Sequence, residues 1–267
     1  MRIVRFLSEG KVQTGELLGD GRAARVIRGD FENGFEATRF TAPIEKLLAP
    51  LVPTDILCIG LNYREHAAES GSSVPQNPVL FIKASNTLNH PGDPIRIPRR
   101  SSMIDYEGEL AVVIGKPARH VPRERAMEHV FGYTVANDVS ARDWQRQKEL
   151  GGGQFARGKS FDGFCPLGPW IVTRDEVPNP NALRLRTILN GQVMQDHTTA
   201  DMIFDVPTLI ESLSSTMTLR PGAVLLTGTP QGVGFARTPP VWMKAGDTVS
   251  VEIEGVGRLE NPVSDDN

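Results

Sequence analysis

Three carboxylates recur at every second position in the middle of the chain, in Asp105, Glu107 and Glu109. Three β-branched residues at 112–114 predict that residues 105–114 form one strand, in which alternation places the carboxylates on a shared face. At a spacing of about 5 Å and an effective dielectric constant near 20, their repulsion costs on the order of 3 kcal/mol per pair. A divalent cation such as Mg²⁺, which prefers oxygen ligands, relieves that cost. The alternative is a solvated edge strand whose carboxylates point into water.

A fourth carboxylate, Asp138, follows a predicted strand over residues 133–137. The next segment has the pattern of a helix over residues 141–150, so Asp138 lies at a strand-to-helix junction, a common place for a metal ligand. Arg142 and Gln145 are three residues apart and share one face of that helix. Such side chains are often simply solvated. The planar fork of arginine also suits it to binding a carboxylate, which is the role we predict here.

An imidazole and a carboxylate are paired in the segment after the apolar run 55–61. The run predicts a buried strand, and the short helix after it places His66 and Glu69 on one face. A carboxylate beside an imidazole fixes its tautomer and raises its basicity, as a general base requires. The same spacing also occurs in surface pairs that have no catalytic role. The position directly after a buried strand favours the general base.

Two lysines end segments that can approach an anion. Lys83 ends a predicted strand over residues 79–83, where it faces either a substrate carboxylate or solvent. Lys159 lies near the end of the glycine-rich segment 151–160, whose spacing does not match a phosphate-binding P-loop. We expect this segment to be an ordered loop that brings Lys159 to a small anion.

A second glycine-rich turn, residues 228–234, follows the apolar run 223–227. The run predicts a buried strand. The turn after it presents backbone N–H groups and the Thr229 hydroxyl, which are donors suited to a carboxylate or an enolate oxygen. Its spacing does not match a dinucleotide-binding fingerprint.

Polar residues mark the predicted starts of three helices. Asn62 and Ser140 are predicted to cap the two helices described above. Asp205 is predicted to cap a longer helix, which has Pro207 in its first turn and ends near residue 217.

Composition limits the possible partners. The chain has 267 residues, of which 39% are hydrophobic and 23% charged, as in an ordinary folded protein with a large core. Its 29 basic and 32 acidic residues give a net charge of -3, which offers no electrostatic surface for nucleic acid or an anionic membrane. No apolar stretch has the length of a signal sequence or a bilayer span, so we expect a cytoplasmic protein. Cys58 and Cys165 both have apolar neighbours and predict free, buried thiols.

The order of the elements predicts an α+β fold dominated by β-strands. Short alternating runs separated by glycine turns fill residues 1–50, and prolines interrupt the chain near residue 50. Asn190-Gly191 predicts a hairpin in the later part of the chain. Because strands outnumber helices there and do not alternate with them, a regular βαβ arrangement is disfavoured. We predict a small N-terminal β-rich domain over residues 1–50 and a catalytic domain over residues 51–267.

Five segments resemble, in the same order, motifs of the fumarylacetoacetate hydrolase family. They lie within residues 55–263, which is most of the chain. The segments are Ile59-Gly60-Leu61-Asn62-Tyr63 followed by His66 and Glu69, Asp105-Tyr106-Glu107-Gly108-Glu109-Leu110, Asn137-Asp138-Val139-Ser140-Ala141-Arg142-Asp143-Trp144-Gln145, Gly158-Lys159-Ser160-Phe161-Asp162, and Leu226-Thr227-Gly228-Thr229-Pro230.

The resemblance implies a folded-over β-sheet roll, a homodimer, and a Mg²⁺ or Mn²⁺ ion held by Glu107, Glu109 and Asp138. Asp105 is not among the family's usual ligands, so the resemblance leaves it a structural role. The short stretch before residue 51 is similar to that of the family's short members, which act on acylpyruvates and related 2-oxo acids.

The resemblance also implies roles for the remaining polar residues. His66 and Glu69 would form a dyad that handles water or a proton, and Lys159 would take part in catalysis by stabilising a developing oxyanion. The groups that would hold the carboxylate and oxo oxygens of a small 2-oxo acid are Arg142, Gln145, Thr229 and Lys159, with Lys83 as a further candidate.

These features together predict a divalent-metal-dependent hydrolase that cleaves a C–C bond in a 2,4-dioxo acid of the acylpyruvate or fumarylpyruvate type. His66 would take a proton from the attacking water, and the cation would stabilise the departing enolate. The same enolate chemistry also serves an oxaloacetate decarboxylase, or an isomerase or tautomerase of an unsaturated 2-oxo diacid. The sequence does not separate these reactions. A non-catalytic binding module that keeps the ion for stability alone is the remaining alternative.

Overall fold

The computed structural model of the protein describes residues 1–266. Within these residues nineteen strands and four short α-helices form, which confirms the predicted β-dominated α+β class. The strands are β1 Arg2–Ser8, β2 Lys11–Leu17, β3 Ala23–Asp30, β4 Gly34–Pro43, β5 Lys46–Leu48, β6 Ile56–Gly60, β7 Val79–Lys83, β8 Leu88–Asn89, β9 Ile95–Ile97, β10 Ile104–Asp105, β11 Gly108–Ile114, β12 Val130–Asn137, β13 Ser140–Ala141, β14 Cys165–Thr173, β15 Arg184–Leu189, β16 Gln192–Thr198, β17 Val224–Leu226, β18 Thr248–Ile253 and β19 Gly257–Asp265. The helices are α1 Arg64–Glu69, α2 Arg142–Arg146, α3 Phe155–Lys159 and α4 Val206–Thr216.

A twelve-stranded sheet forms the centre of the molecule. Its main path runs β4-β3-β2-β1-β14-β12-β11-β17-β6-β7, with β5 paired to β1 and β8 paired to β14. Because β1 pairs with β14, the strands of residues 1–50 extend this sheet. The domain boundary after residue 50 stays a prediction. A second sheet has five strands in the order β16-β15-β18-β19-β9.

The acidic strand β11 lies in the middle of the large sheet, between β12 and β17, and all seven of its residues are buried. Leu110 and Val112 join a core that includes Val251 of the second sheet, whereas Ala111 and Val113 join the core on the opposite face. This alternation is the period of a strand buried on both sides. The alternative of a solvated edge strand is therefore wrong.

The acidic segment is not the single strand that the sequence predicts. Asp105 ends β10, which pairs with β13, and β11 begins only at Gly108. The Asp105 carboxylate accepts the backbone N–H groups of Gly234 and Phe235 at 2.7 and 3.0 Å. These bonds anchor the Asp105 carboxylate to the segment that contains Gly234 and Phe235.

The predicted N-caps Asn62 and Ser140 are wrong, because both side chains bind elsewhere. Asn62 donates to the carbonyl oxygens of Phe204 and Thr227 at 3.0 and 2.7 Å, and the residue before α1 makes no side-chain cap. Ser140 donates to the carbonyl of Asp138 at 2.9 Å. A backbone acceptor buried away from water is costly to leave unpaired, so these bonds to carbonyl groups take precedence over capping.

The helix predicted over residues 141–150 is shorter than expected, since α2 ends at Arg146 and a single 3-10 turn follows over Lys148–Leu150. Gly151 then stops the segment in the left-handed region at φ 84°. The segment 151–160, predicted to be a loop, contains α3. Lys159 is the last residue of that helix.

Helix α4 confirms the Asp205 cap, whose carboxylate accepts the Thr208 N–H at 3.0 Å. We expect Asp205→Ala to lower the free energy of unfolding by about 1 kcal/mol at pH 7, measured by urea denaturation. The hydrogen bond from Arg123 lowers the pKa of Asp205 to about 2, although partial burial acts in the opposite direction. The stabilisation is therefore complete above the ordinary value of 3.8 and is lost as the pH falls from there towards 2. A difference between wild type and variant that is the same at pH 2 and pH 7 would contradict this account.

Two further predictions concern the whole chain. Cys58 and Cys165 are free and buried, as predicted. Among residues 1–266, every helix is too short or too polar to cross a membrane.

Candidate active site

An open cavity of about 260 Å³ lies beside the first residues of β11 and the last residues of β6, close to helices α1 and α2. Most of the residues that the sequence singles out for chemistry line this one cavity. They are His66, Glu107, Glu109, Arg142, Gln145, Lys159 and Thr229.

The structure brings Glu107, Glu109 and Asp138 together, with one carboxylate oxygen of each within 4.8 Å of the others. Antiparallel pairing produces this arrangement, because β11 lies beside β12 with Gly108 opposite Asn137, and Asp138 follows directly. The Asp138 N–H donates to the Glu107 carbonyl at 2.8 Å and fixes the junction. All three side chains are buried. We call these three residues the acidic triad.

Buried cations neutralise two members of the acidic triad. Lys159 Nζ lies 2.5 Å from Glu107 and 2.8 Å from Asp138, and Lys83 Nζ lies 2.6 Å from the other oxygen of Asp138. Arg142 forms a 2.7 Å ion pair with Glu107. Although burial raises the pKa of Glu107, the charges of Lys159 and Arg142 outweigh it and bring this pKa down to about 2. Glu107 is therefore ionised.

Glu109 is the member of the triad that no cation neutralises within residues 1–266. Its carboxylate accepts the Gly228 N–H at 2.6 Å. Burial, and then the charges of Asp138 and Glu107, raise its pKa well above the usual range. An added divalent cation would balance the charge of these carboxylates, and the oxygen-only donor set is the one that hard cations prefer. The triad therefore fits a divalent cation.

Asp105 lies outside the acidic triad. Its carboxylate accepts Arg142 Nε at 2.8 Å in addition to the two N–H groups of the glycine-rich turn. Burial raises its pKa, and Arg142 acts against that rise. Arg142 in turn donates to Gln145 Oε1 at 2.9 Å. Asp105 thus fixes the guanidinium that faces both the triad and the cavity.

His66 and Glu69 form the pair that the sequence predicts on α1, with His66 Nδ1 2.7 Å from Glu69 Oε1. His66 is buried and lines the cavity, with its ring edge-on to that of Phe235. The Gly232 N–H donates to both oxygens of Glu69, at 3.1 and 2.9 Å. The Gly232 N–H therefore fixes the Glu69 carboxylate, and the carboxylate orients the imidazole.

The glycine-rich turn 228–234 does not offer its N–H groups to a ligand, contrary to the prediction. Three of these groups bind protein carboxylates instead. Gly228 binds Glu109, Gly232 binds Glu69, and Gly234 binds Asp105. The turn thus positions Glu109 of the acidic triad, Glu69 of the histidine pair, and Asp105, which binds Arg142.

Thr229 lines the cavity with its hydroxyl already engaged. It donates to the Gly108 carbonyl at 3.0 Å and accepts Gln195 Nε2 at 2.8 Å. Its single proton is therefore used, and it has no donor left for an oxyanion in this arrangement. Gln195 also accepts the Gly108 N–H at 3.0 Å, so it fixes the start of β11.

Lys83 was expected to bind a substrate carboxylate or to face solvent, but the structure places it elsewhere. Its side chain is fully buried, and its ammonium donates to Asp138 and to the Val139 carbonyl. It does not line the cavity. The lysine at the end of β7 is therefore placed to hold Asp138 rather than to meet a substrate.

Sequence reasoning missed three residues of the site, namely Gln195, Phe235 and Arg146. Phe235 and Arg146 line the cavity. Gln195 and Phe235 carry no local signal, because they reach the site only through pairing with distant segments. Arg146 lies one turn after Arg142 on α2. This spacing places both side chains on one face of the helix, so Arg146 could have been predicted from the sequence.

Comparison with known proteins identifies the family. The family model described as Fumarylacetoacetate (FAA) hydrolase C-terminal matches residues 55–264. The chain is 50% identical over 218 residues to the protein named oxaloacetate tautomerase fahd2, mitochondrial, from Xenopus laevis, an alignment that covers 81% of this chain and 68% of that protein.

Solved structures agree with this assignment. The fold matches a 5-carboxymethyl-2-hydroxymuconate delta-isomerase from Mycobacterium smegmatis with a TM-score of 0.87 and 41% identity, over 100% of both chains. It also matches a 2-hydroxyhepta-2,4-diene-1,7-dioate isomerase from Mycobacterium marinum with a TM-score of 0.85 and 40% identity, over 100% of this chain and 99% of that chain. The predicted resemblance and the predicted fold are confirmed, and this chain belongs to the fumarylacetoacetate hydrolase family of enzymes.

Proposed function

We propose that this protein is a Mg²⁺- or Mn²⁺-dependent tautomerase or isomerase that moves a proton on a small 2-oxo acid by way of an enolate. One observation carries the proposal: the acidic triad, with the unbalanced charge of Glu109, shares a single cavity with the His66–Glu69 pair. Names of relatives that cover most or all of this chain support proton transfer over hydrolysis. The preference therefore shifts from the C–C hydrolysis favoured by the sequence to one of its alternatives.

The reaction needs a way to stabilise negative charge and a base to take the proton. A divalent cation at the triad would supply Lewis-acid polarisation of the 2-oxo group. His66 is the base: because Glu69 accepts from Nδ1–H, the other ring nitrogen, Nε2, is the unprotonated acceptor. The same nitrogen returns the proton to the neighbouring carbon or oxygen, which completes the tautomerisation.

Other side chains hold the substrate oxygens. Lys159 has three donors, and Glu107 and Asp138 use two of them, so one remains for a substrate oxygen. Gln145 accepts from Arg142 through Oε1, which leaves its NH₂ group free to donate. The donor role expected for Thr229 thus passes to Lys159 and Gln145, and Lys83 positions Asp138.

A substrate panel tests the proposal. Purified protein with Mg²⁺ is mixed with the enol form of oxaloacetate, a 2-hydroxy-dienedioate and an acylpyruvate, and enol absorbance and products are followed by ultraviolet spectroscopy and proton NMR. We expect faster enol-to-keto conversion without release of a carboxylic acid. No acceleration with any member of the panel would overturn the proposal.

C–C hydrolysis remains a second candidate, because the His66–Glu69 pair suits a water molecule as well as a carbon acid. It predicts that the acylpyruvate yields pyruvate and a carboxylic acid in equal amounts. The same NMR spectra distinguish the two outcomes. A homodimer and a cytoplasmic location stay predictions.

Metal removal gives a test that does not depend on knowing the substrate. Because the folded acidic triad would bind the cation and the unfolded chain would not, we expect Mg²⁺ at about 100 times its Kd to stabilise the protein by about 2.7 kcal/mol. Differential scanning calorimetry after dialysis against a chelator, and again after adding Mg²⁺ or Mn²⁺, measures this shift. Sodium chloride at matched ionic strength is the control. Equal Tm values with and without the divalent cation would contradict the triad as a metal site.

A further inference from the structure

We propose that Arg146 binds a second carboxylate at the far end of the substrate, so that the site selects 2-oxo acids with two carboxylates. This inference rests on the proposed function and names its substrate class. The protein would therefore prefer such diacids to acylpyruvates that end in an apolar group.

The first support is the balance of charge around the cavity. The cationic side chains that line it are Arg142, Lys159 and Arg146. Buried carboxylates neutralise the first two, at distances between 2.5 and 2.8 Å. Arg146 has neither an ion pair nor a side-chain hydrogen bond with any residue in the described part of the chain. Its positive charge is therefore available to a ligand.

The second support is the way in which Arg146 is held. Its Cζ atom lies 4.6 Å from the centroid of the Phe235 ring, and the Arg142 Cζ atom lies at the same distance from that ring. The ring attracts a guanidinium through its π-face and leaves the N–H donors free. The backbone of Phe235 is itself fixed by its hydrogen bond to Asp105. Arg146 is an exposed residue, but the Phe235 ring holds its guanidinium at the cavity.

The third support is distance. The Cζ atoms of Arg142 and Arg146 each lie 4.6 Å from the centroid of the Phe235 ring, so the two Cζ atoms are no further apart than twice that distance. Arg142 pairs with Glu107 of the acidic triad, so Arg146 lies within reach of a short carbon chain that is bound at the triad. The fork of an arginine matches a carboxylate through two parallel hydrogen bonds.

Among the lining residues in the described part of the chain, Arg146 is the cation that no carboxylate neutralises. The rest of the wall consists of polar groups without charge, such as the Ser70 and Ser72 hydroxyls, and of the apolar side chains of Ile59, Leu61, Phe81 and Phe155. A carboxylate placed against these apolar side chains would lose its hydration without compensation. The carbon chain of a diacid can contact this wall while its second carboxylate meets Arg146.

The experiment compares oxaloacetate with its 4-methyl ester, which keeps the carbon skeleton and removes the distal charge. For the Mg²⁺-loaded protein, we expect Arg146→Gln to raise KM for oxaloacetate by about tenfold to a hundredfold. Its kcat should stay within about twofold of wild type, because the proposal places Arg146 at the end of the substrate remote from the reacting carbon. The kcat/KM for the ester should be unchanged, and Arg146→Lys should restore part of the lost affinity.

Arg157→Gln is the matched control. Arg157 is also held over an aromatic ring, that of Trp144, at 5.0 Å, but it does not line this cavity. Its replacement should leave both substrates unaffected. An equal loss with oxaloacetate and with its ester in Arg146→Gln would overturn the proposal, and so would no loss with either.

A binding measurement separates this proposal from the proposed function. Isothermal titration calorimetry gives Kd for 2-oxoglutarate and for 2-oxobutanoate, which lacks the distal carboxylate. If wild type turns over no 2-oxo acid, the proposed function fails. A preference for the diacid that disappears in Arg146→Gln still supports the role of Arg146, whereas equal Kd values in wild type overturn it.

Discussion

Glu109→Gln is expected to abolish the Mg²⁺-dependent rise in Tm and to lower kcat/KM by about a thousandfold. Lewis-acid stabilisation of developing charge is worth several kcal/mol, and each 1.36 kcal/mol corresponds to about a factor of ten in rate. Glu109 is the proposed ligand whose loss should matter most, because Glu107 and Asp138 already share their charge with lysines whereas Glu109 forms no ion pair with a cation in residues 1–266. Calorimetry with and without Mg²⁺ and steady-state kinetics measure the two effects.

The metal-free variant should not be less stable than metal-free wild type. Glutamine keeps an oxygen for the Gly228 N–H, and it places a neutral group where a buried carboxyl lies near two others. We therefore expect the chelator-treated variant to melt at or above the Tm of chelator-treated wild type.

Asp143→Asn provides the control for both measurements. Asp143 is a buried carboxylate on α2 that accepts Ser101 Oγ at 2.7 Å and is not part of the acidic triad. It should keep the full Mg²⁺-dependent shift. If Glu109→Gln kept this shift as well, the triad would not be the metal site.

Local patterns in the sequence predict the parts of the fold that depend on neighbouring residues. The Asn190-Gly191 turn between β15 and β16 has φ values of 51° and 81°, the left-handed backbone that this dipeptide adopts readily. Helix α4 begins at its predicted aspartate, and the acidic triad converges because a strand and the residue after its neighbour are adjacent in an antiparallel pair. In each case the residues that carry the sequence pattern belong to one secondary-structure element, or to two elements that pair with each other.

What the sequence did not predict depends on partners that are far away along the chain. Asn62 fails as a cap because it binds groups 142 and 165 residues later. Alternation along β7 does not reveal which neighbour Lys83 will meet, and the answer, Asp138, follows only from the folding of the sheet. The N–H groups of the glycine-rich turn were expected to bind a ligand, and they bind carboxylates that the protein itself supplies. These carboxylates come from α1, β10 and β11.

His66→Gln is expected to lower kcat for enol-to-keto conversion by about a hundredfold to ten-thousandfold with little change in KM, because a positioned general base contributes about this factor. Glutamine keeps a polar group of similar reach but cannot carry the proton. Glu69→Gln should have a smaller effect, since it leaves the imidazole in place and removes only the carboxylate that orients it. Metal-induced stabilisation should be unchanged in both variants, because neither residue belongs to the acidic triad.

His197→Gln is the matched control for His66→Gln. His197 also lies beside a carboxylate, with its Nε2 atom 3.2 Å from Asp201, but it does not line the cavity. Its replacement should leave kcat unchanged. Equal losses of kcat in the two histidine variants would show that replacing His66 acts through the structure and not through loss of a base.

The same variant decides what His66 does. If it moves a proton on the substrate carbon, His66→Gln should slow enol-to-keto conversion and any acylpyruvate hydrolysis together. If it activates water, the variant should lose hydrolysis yet keep enol-to-keto conversion, because the latter requires no attacking water. Proton NMR of one acylpyruvate in deuterium oxide reads both reactions in a single sample, since deuterium enters the C3 position through the enol whereas free pyruvate appears only on cleavage. We expect deuterium entry to fall with His66→Gln, and normal entry with loss of pyruvate release would assign His66 to water.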